Sequence, residues 1–177
     1  MVVFDPDGRR VRLGQLWADR IAVLVFVRHF GCVLCRQQIG DITPLFDRVK
    51  AMGADLIVVG QGSVEEAHTF REEEKLKIPL LTDPTRQSYN TLGMRRGLTS
   101  LITSASLGRA FKAWRSGYRQ SRVAGDPLQQ GGVVVIAPGG MEHFRFISRD
   151  AGDRPTPEQI LATLTVLTAP RPSTTRP

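Results

Sequence analysis

Cysteine is nearly absent from this chain: two residues in 177, Cys32 and Cys35, with only Val33 and Leu34 between them. A secreted disulfide scaffold spreads more cysteines along its length, and a bridge between these two would close almost no loop and add little stability. A zinc site of the usual four ligands lacks its second cysteine pair, and the three histidines, His29, His68 and His143, are scattered, so no metal is expected. No apolar run approaches the ~20 residues that cross a bilayer. The first residues, Met1 to Pro6, reach an Asp-Pro turn at once, unlike a secretory signal, and a cytoplasmic location is the expectation. Lysine is scarce too, confined to Lys50, Lys75, Lys77 and Lys112, so the net charge of +7 rests mostly on arginine. Acidic residues are missing altogether from Met94 to Arg122, a stretch holding seven of the 24 basic residues and leaving 17 to balance the 17 acidic ones elsewhere. The charge excess is local, and no nucleic-acid recognition motif accompanies it.

What is present reads as one globular domain. The hydrophobic share of 41% and the charged share of 23% are ordinary for a folded soluble chain. Asp5-Pro6-Asp7-Gly8 between Val2–Phe4 and Val11–Leu13 predicts a hairpin. Ile21–Val27 is continuous, apolar and β-branched, the pattern of a central strand covered on both faces. Helical periodicity then runs from Cys35 to Met52, with a kink expected at Pro44. Leu56–Val59, Pro79–Leu81 and Val133–Ala137 read as further strands, the last turning into Glu142–Ser148. Capping boxes at Ser63 and Thr156 open two more helices, the first expected to reach about Lys75, and Asp83-Pro84-Thr85 opens another around Tyr89 and Leu92. This order implies an α/β domain over residues 1–168, a mixed sheet with helices on both faces, interrupted by a basic insertion at 94–130. Residues 169–177, rich in Pro, Thr and Arg, are expected to be a disordered tail.

Cys-x-x-C directly after a buried strand, at the opening of a helix, is a redox motif rather than a packing feature. Free N–H groups and partial positive charge at a helix N-terminus favour the thiolate. Cys32, at the tip, is the candidate nucleophile, and Cys35, one turn further in, is the candidate resolving thiol. Arg28, His29 and Arg36 are candidates for tuning the thiol or positioning a substrate. Two inert buried cysteines and a zinc half-site are the competing readings of the same pair.

The stretch from Val25 to Arg36 (VFVRHFGCVLCR) resembles the peroxiredoxin-like 2 group of the alkyl hydroperoxide reductase/thiol-specific antioxidant superfamily. Leu81–Tyr89 is similar to a segment common in peroxiredoxins, and Phe111–Trp114, Gln130–Val135 and His143 also fit the group. The resemblance runs from about Val2 to Leu167 and implies a thioredoxin-like fold with a thiol-based reductase or peroxidase activity. It implies a peroxide or lipid endoperoxide substrate, no bound cofactor, and a thioredoxin- or glutathione-type reductant to restore the dithiol. The chain departs from ordinary peroxiredoxins at three places. Their Pro and Thr, seven and three residues before the reactive cysteine, are Val25 and His29 here. Their Arg before the strand that starts near Val133 is replaced by Gln130-Gly131-Gly132. Arg28, Arg36, Arg145 and Arg149 are the candidates to stand in for it.

In the basic insertion, Leu107, Phe111, Trp114 and Tyr118 share one helical stripe, and Lys112, Arg115, Arg119 and Arg122 another. Residues 94–122 are therefore read as an amphipathic helix that packs on the domain or on a second subunit in a homodimer, or that touches a membrane surface, an acidic partner or a lipid-like substrate. Three functions fit the whole: a peroxiredoxin-like thiol oxidoreductase, a thiol–disulfide reductase with little peroxidase activity, and a non-catalytic redox sensor.

Overall fold

The predicted hairpin forms from β1 (Val2–Phe4) and β2 (Arg10–Arg12), with Val3 opposite Val11. The Asp5 carboxylate closes its turn by accepting from the backbone N–H groups of Asp7 and Arg9 at 2.9 and 2.8 Å. A 3-10 turn at Leu13–Trp17 leads into β3 (Ile21–Phe26), buried from Ala22 onward. A strand without polar residues needs cover on both faces and partners on both edges. It gains β4 (Ala54–Gly60) in parallel on one edge, with β5 (Leu80–Thr82) parallel beyond it. On the other edge β6 (Gly132–Ala137) runs antiparallel and pairs in turn with β7 (Met141–Ile147). Among the described residues the sheet has the order β2-β1-β5-β4-β3-β6-β7.

This computed structural model describes residues 1–94, 96–97, 108, 112, 114–117 and 125–169. Of the predicted amphipathic stripes, Leu107, Phe111, Tyr118, Arg119 and Arg122 lie outside that set, as does the tail from 170 onward. Lys112, Trp114 and Arg115 are described and are helical and exposed. Among the described residues no helix is long and apolar enough to cross a membrane.

Alternation along the central strands splits the core in two. Val23 and Val25 of β3, with Leu56 and Val58 of β4, pack beneath α1 (Val33–Ile42), α2 (Phe46–Ala51), α3 (Val64–Glu73) and α5 (Pro157–Thr168). Ala22, Leu24, Phe26, Ile57 and Val59 face the opposite side, where the 3-10 turn and α4 (Gln87–Thr91) lie, with Tyr89 fully buried. Both capping boxes are made, Ser63 with Glu66 and Thr156 with Gln159.

Strand ends shift by one or two residues from the sequence reading, and two helix boundaries differ for a definite physical reason. Pro44 divides the expected single helix into α1 and α2, with a 3-10 turn at Thr43–Leu45 between them. Proline supplies no N–H and its ring crowds the preceding turn, and the Thr43 hydroxyl bonds the Ile39 carbonyl at 2.7 Å there. The helix expected to reach Lys75 ends at Glu73, because Lys75 takes a left-handed φ of 48° that no α-helix tolerates.

Candidate active site: a buried dithiol at a helix start

The chain leaves β3 at Phe26, and a five-residue turn, Val27 to Gly31, carries it to the first residue of the dithiol. Phe30 anchors this turn. Its ring lies so close to Gly60, at the exit of β4, that a Cβ there would meet it at 2.2 Å, so glycine is required. Tyr89 anchors the turn from the opposite side of the sheet: its hydroxyl contacts the carbonyl oxygens of Val27 at 2.7 Å and Val59 at 3.0 Å. A single O–H shared between the ends of two parallel strands holds them at a fixed separation.

Cys32 is the N-cap of α1, with extended φ/ψ of −78° and 122°, and Cys35 lies in the first turn. Both thiols are free and buried, 4% and 2% exposed. Residues three apart on an α-helix have Cα atoms about 5 Å apart, inside the roughly 4.4–6.8 Å that a disulfide spans. A Cys32–Cys35 bond therefore needs little backbone movement.

The two sulfurs are electrostatically unequal. The Cys35 S–H donates to the Cys32 sulfur, and this lowers the Cys32 pKa most; burial opposes it. The Arg28 charge and the backbone N–H groups of Cys35 and Leu34 add to the lowering, which brings the thiol to about 6. The same hydrogen bond, together with burial, raises Cys35 well above the ordinary thiol range. The first proton thus leaves Cys32 and the second stays on Cys35.

Arg28, the cation in this arrangement, is itself buried. Its Nη1 lies 3.7 Å from Cys32 Sγ, while Nη2 donates to the Pro127 carbonyl at 2.5 Å and Nε to the Gln129 carbonyl at 3.4 Å. Of the four arginines considered as stand-ins, this is the one that reaches the sulfur. Arg36 pairs with Glu73 at 2.7 Å and with Glu74, and its guanidinium lies 5.2 Å from the centre of the Phe70 ring. Arg145 pairs with Glu142, and Arg149 with Asp153 at 3.1 Å. The charge of Arg36 is thus matched by two carboxylates on and beside α3.

His29, the third basic residue named as a candidate for tuning the thiol or positioning a substrate, is buried. It is 3% exposed, and its Nδ1 has no hydrogen-bond partner among the described residues. Burial and the neighbouring Arg28 charge push its pKa down to about 4, so near neutrality it is an uncharged ring.

Sequence reasoning missed three residues of this region. Gln61, buried at the exit of β4, donates from Nε2 to the Arg28 carbonyl at 2.6 Å and to the Asp126 carbonyl at 2.7 Å. Its Oε1 accepts from the Asp126 N–H at 3.0 Å. The Asp126 carboxylate is bound by Arg96 at 2.7 Å and by Arg86. Tyr89 is the third. A polar residue directly after an apolar strand, as Gln61 is, was the one available signal. A cleft of about 10 Å³, room for one water, lies behind Cys35 against Gly131 and the Ser148–Arg154 loop. Among the described residues no group of three His, Cys, Asp or Glu side chains could hold a metal ion.

Comparison with known proteins bears on this geometry. Residues 41–150 match the family described as AhpC/TSA antioxidant enzyme, a segment that begins just after the dithiol. The chain is 36% identical to thioredoxin-like protein AAED1, chloroplastic, of Arabidopsis thaliana, over 90% of this chain and 68% of that protein. It is 34% identical to mouse peroxiredoxin-like 2C, over 85% and 71%, and 32% identical to zebrafish prostamide/prostaglandin F synthase, over 89% and 80%. Its fold is similar to the crystal structure of peroxidoxin BcpB from Mycobacterium tuberculosis, with a TM-score of 0.67 at 19% identity over 94% and 92% of the two chains.

Proposed function

The chain belongs to the AhpC/TSA antioxidant enzyme family, within its peroxiredoxin-like group, and from that premise we propose that it reduces an O–O bond with Cys32 as nucleophile and Cys35 as resolving thiol. The observation that carries the proposal is the opposed state of the two sulfurs, one held as thiolate beside Arg28 and the other held as thiol one helical turn away.

The Cys32 thiolate attacks one oxygen of the peroxide; an S–O bond forms, the O–O bond breaks, and the second oxygen leaves as alkoxide or hydroxide and takes a proton from solvent. Arg28 is the group placed to stabilise that departing charge. Once Cys32 is no longer anionic, the hydrogen bond that kept Cys35 protonated is gone. Cys35 then loses its proton and attacks the Cys32 sulfur, forming the disulfide and releasing water from a hydroperoxide or a second hydroxyl from an endoperoxide. An external thiol reductant, of thioredoxin or glutathione type, returns the pair to the dithiol. The synthase relatives make a lipid endoperoxide the favoured substrate class. A groove of about 250 Å³ adjoining the cleft, with Ile42, Val133, Pro155, Pro157 and Ile160 forming its apolar walls and Gln38, Asp41, Arg154 and Thr156 also lining it, supports that choice.

One experiment tests the reading. Reduced protein receives one equivalent of a hydroperoxide, and free thiols are then counted by alkylation and mass. Wild type is expected to lose both thiols, Cys35→Ser to trap a sulfenic acid on Cys32, and Cys32→Ser to remain reduced. Reductant-coupled turnover must follow. If both thiols stay free in wild type, the proposal fails; single oxidation without turnover identifies a sensor instead.

A further inference from the structure

The Arg28 guanidinium is oriented by two backbone carbonyls on a distant segment, and a carbonyl holds a cation in place only if its own position is fixed. Pro127 and Gln129 belong to the returning end of the basic insertion, far from β3 in sequence. That end is fastened at three points. Gln129 pairs with Arg96 in an isolated antiparallel bridge, and the Gly97 N–H donates to the Leu128 carbonyl at 3.2 Å. Asp126 binds Arg96 and Arg86. The third point is Gln61, whose side-chain amide bonds both the N–H and the carbonyl of Asp126 and also the backbone carbonyl of Arg28 itself.

We propose that Gln61 is a positioning residue for the dithiol: together with Asp126 it fixes the Pro127 and Gln129 carbonyls that hold the Arg28 guanidinium against Cys32 Sγ. Gln61 touches neither sulfur in this arrangement and acts only through Arg28. Its amide suits the task because it carries both donors and an acceptor, so it satisfies a peptide group in the manner of a neighbouring strand. A buried amide with such bonds has one stable orientation, since turning it would set donors against donors. Among the described residues the charged groups facing this cluster are Arg28, Arg86, Arg96 and Asp126, with Cys32 and Cys35 beyond; His29 is uncharged near neutrality. The inference rests on the functional reading only in taking the Cys32 thiolate as the reacting species.

The test follows the titration of Cys32 by ultraviolet thiolate absorbance in wild type, Gln61→Met, Arg28→Met and the double variant, with thermal melts confirming the fold. Gln61→Met is expected to move the midpoint upward by about one pH unit. Arg28→Met moves it at least as far, and the double variant moves it no further than Arg28→Met alone. If Gln61→Met does not fold, Asp126→Asn, on a partly exposed side chain, carries the same expectation. An unmoved midpoint in the folded variant, or shifts that add in the double variant, overturns the proposal. This readout requires no peroxide, so it stands apart from the turnover assay that decides the proposed function.

Discussion

An arginine flanks the dithiol on each side, and the two flanks use it in contrasting ways. On the β3 side, Arg28 meets the neutral carbonyls of Pro127 and Gln129. On the α3 side, Arg36 meets two carboxylates, Glu73 and Glu74, and covers Phe70. Carbonyl partners orient a guanidinium without cancelling its charge, so the field of Arg28 still falls on the Cys32 sulfur. Carboxylate partners both orient and neutralise, and Arg36 becomes a clamp between α1 and α3. Position beside a reactive cysteine therefore says little about electrostatic contribution. The identity of the cation's other partners decides it.

This contrast is open to direct attack, and the outcomes differ in size. Cys35→Ala removes the largest influence on Cys32 and is expected to raise its titration midpoint from about 6 toward the ordinary thiol value near 8.5. Alkylation at pH 6 should then slow by roughly tenfold, after the greater nucleophilicity of the less acidic thiolate is allowed for. Arg28→Met should shift the same midpoint upward by less, with reactivity somewhat above wild type beyond about pH 9, where both are ionised and the less acidic thiolate is the better nucleophile; an unchanged profile would show that Arg28 does not tune the sulfur. His29 provides a pH test of stability. Its pKa is lowered to about 4 on folding, so the unfolded chain binds a proton between about 6.5 and 4 that the folded chain refuses. Stability should fall as pH drops through that window, by up to about 3 kcal/mol, and His29→Gln should flatten the slope of melting temperature against pH. Arg36→Met gives the smallest effect: an unmoved Cys32 midpoint and a loss of about 1 kcal/mol in stability, because its partners are partly exposed. A midpoint shift in Arg36→Met would abolish the distinction between the flanks.

The architecture was largely legible because periodicity reports burial, and burial built the sheet. Ile21–Phe26 was readable as a central strand from its composition, and the boxes at Ser63 and Thr156 marked helix starts to the residue. The dithiol was legible as a local motif whose helix position followed from the strand before it. The environment of that motif was not. Gln61 and Asp126 lie 65 residues apart, and Arg28 and Gln129 are separated by 101, so no local pattern links them. The four candidate arginines were alike as letters, and only the fold shows three of them answered by nearby acids. For His29 the sequence shows a basic residue and not the depth of burial that leaves it uncharged near neutrality.

Gly131 lies just before β6, in the stretch where ordinary peroxiredoxins carry their arginine. A Cβ at this position would meet the Phe26 carbonyl oxygen at 2.0 Å, so the backbone of β3 itself occupies the place of a side chain. Grafting an arginine here would push apart the two central strands before it supplied any charge. At residue 131 itself a side chain and the β3 backbone exclude each other, and the cation at Cys32 comes instead from Arg28, in the turn that follows β3. Surveying relatives for the pairing of a small residue at 131 with a basic one at 28 would reveal which source of the cation each has adopted.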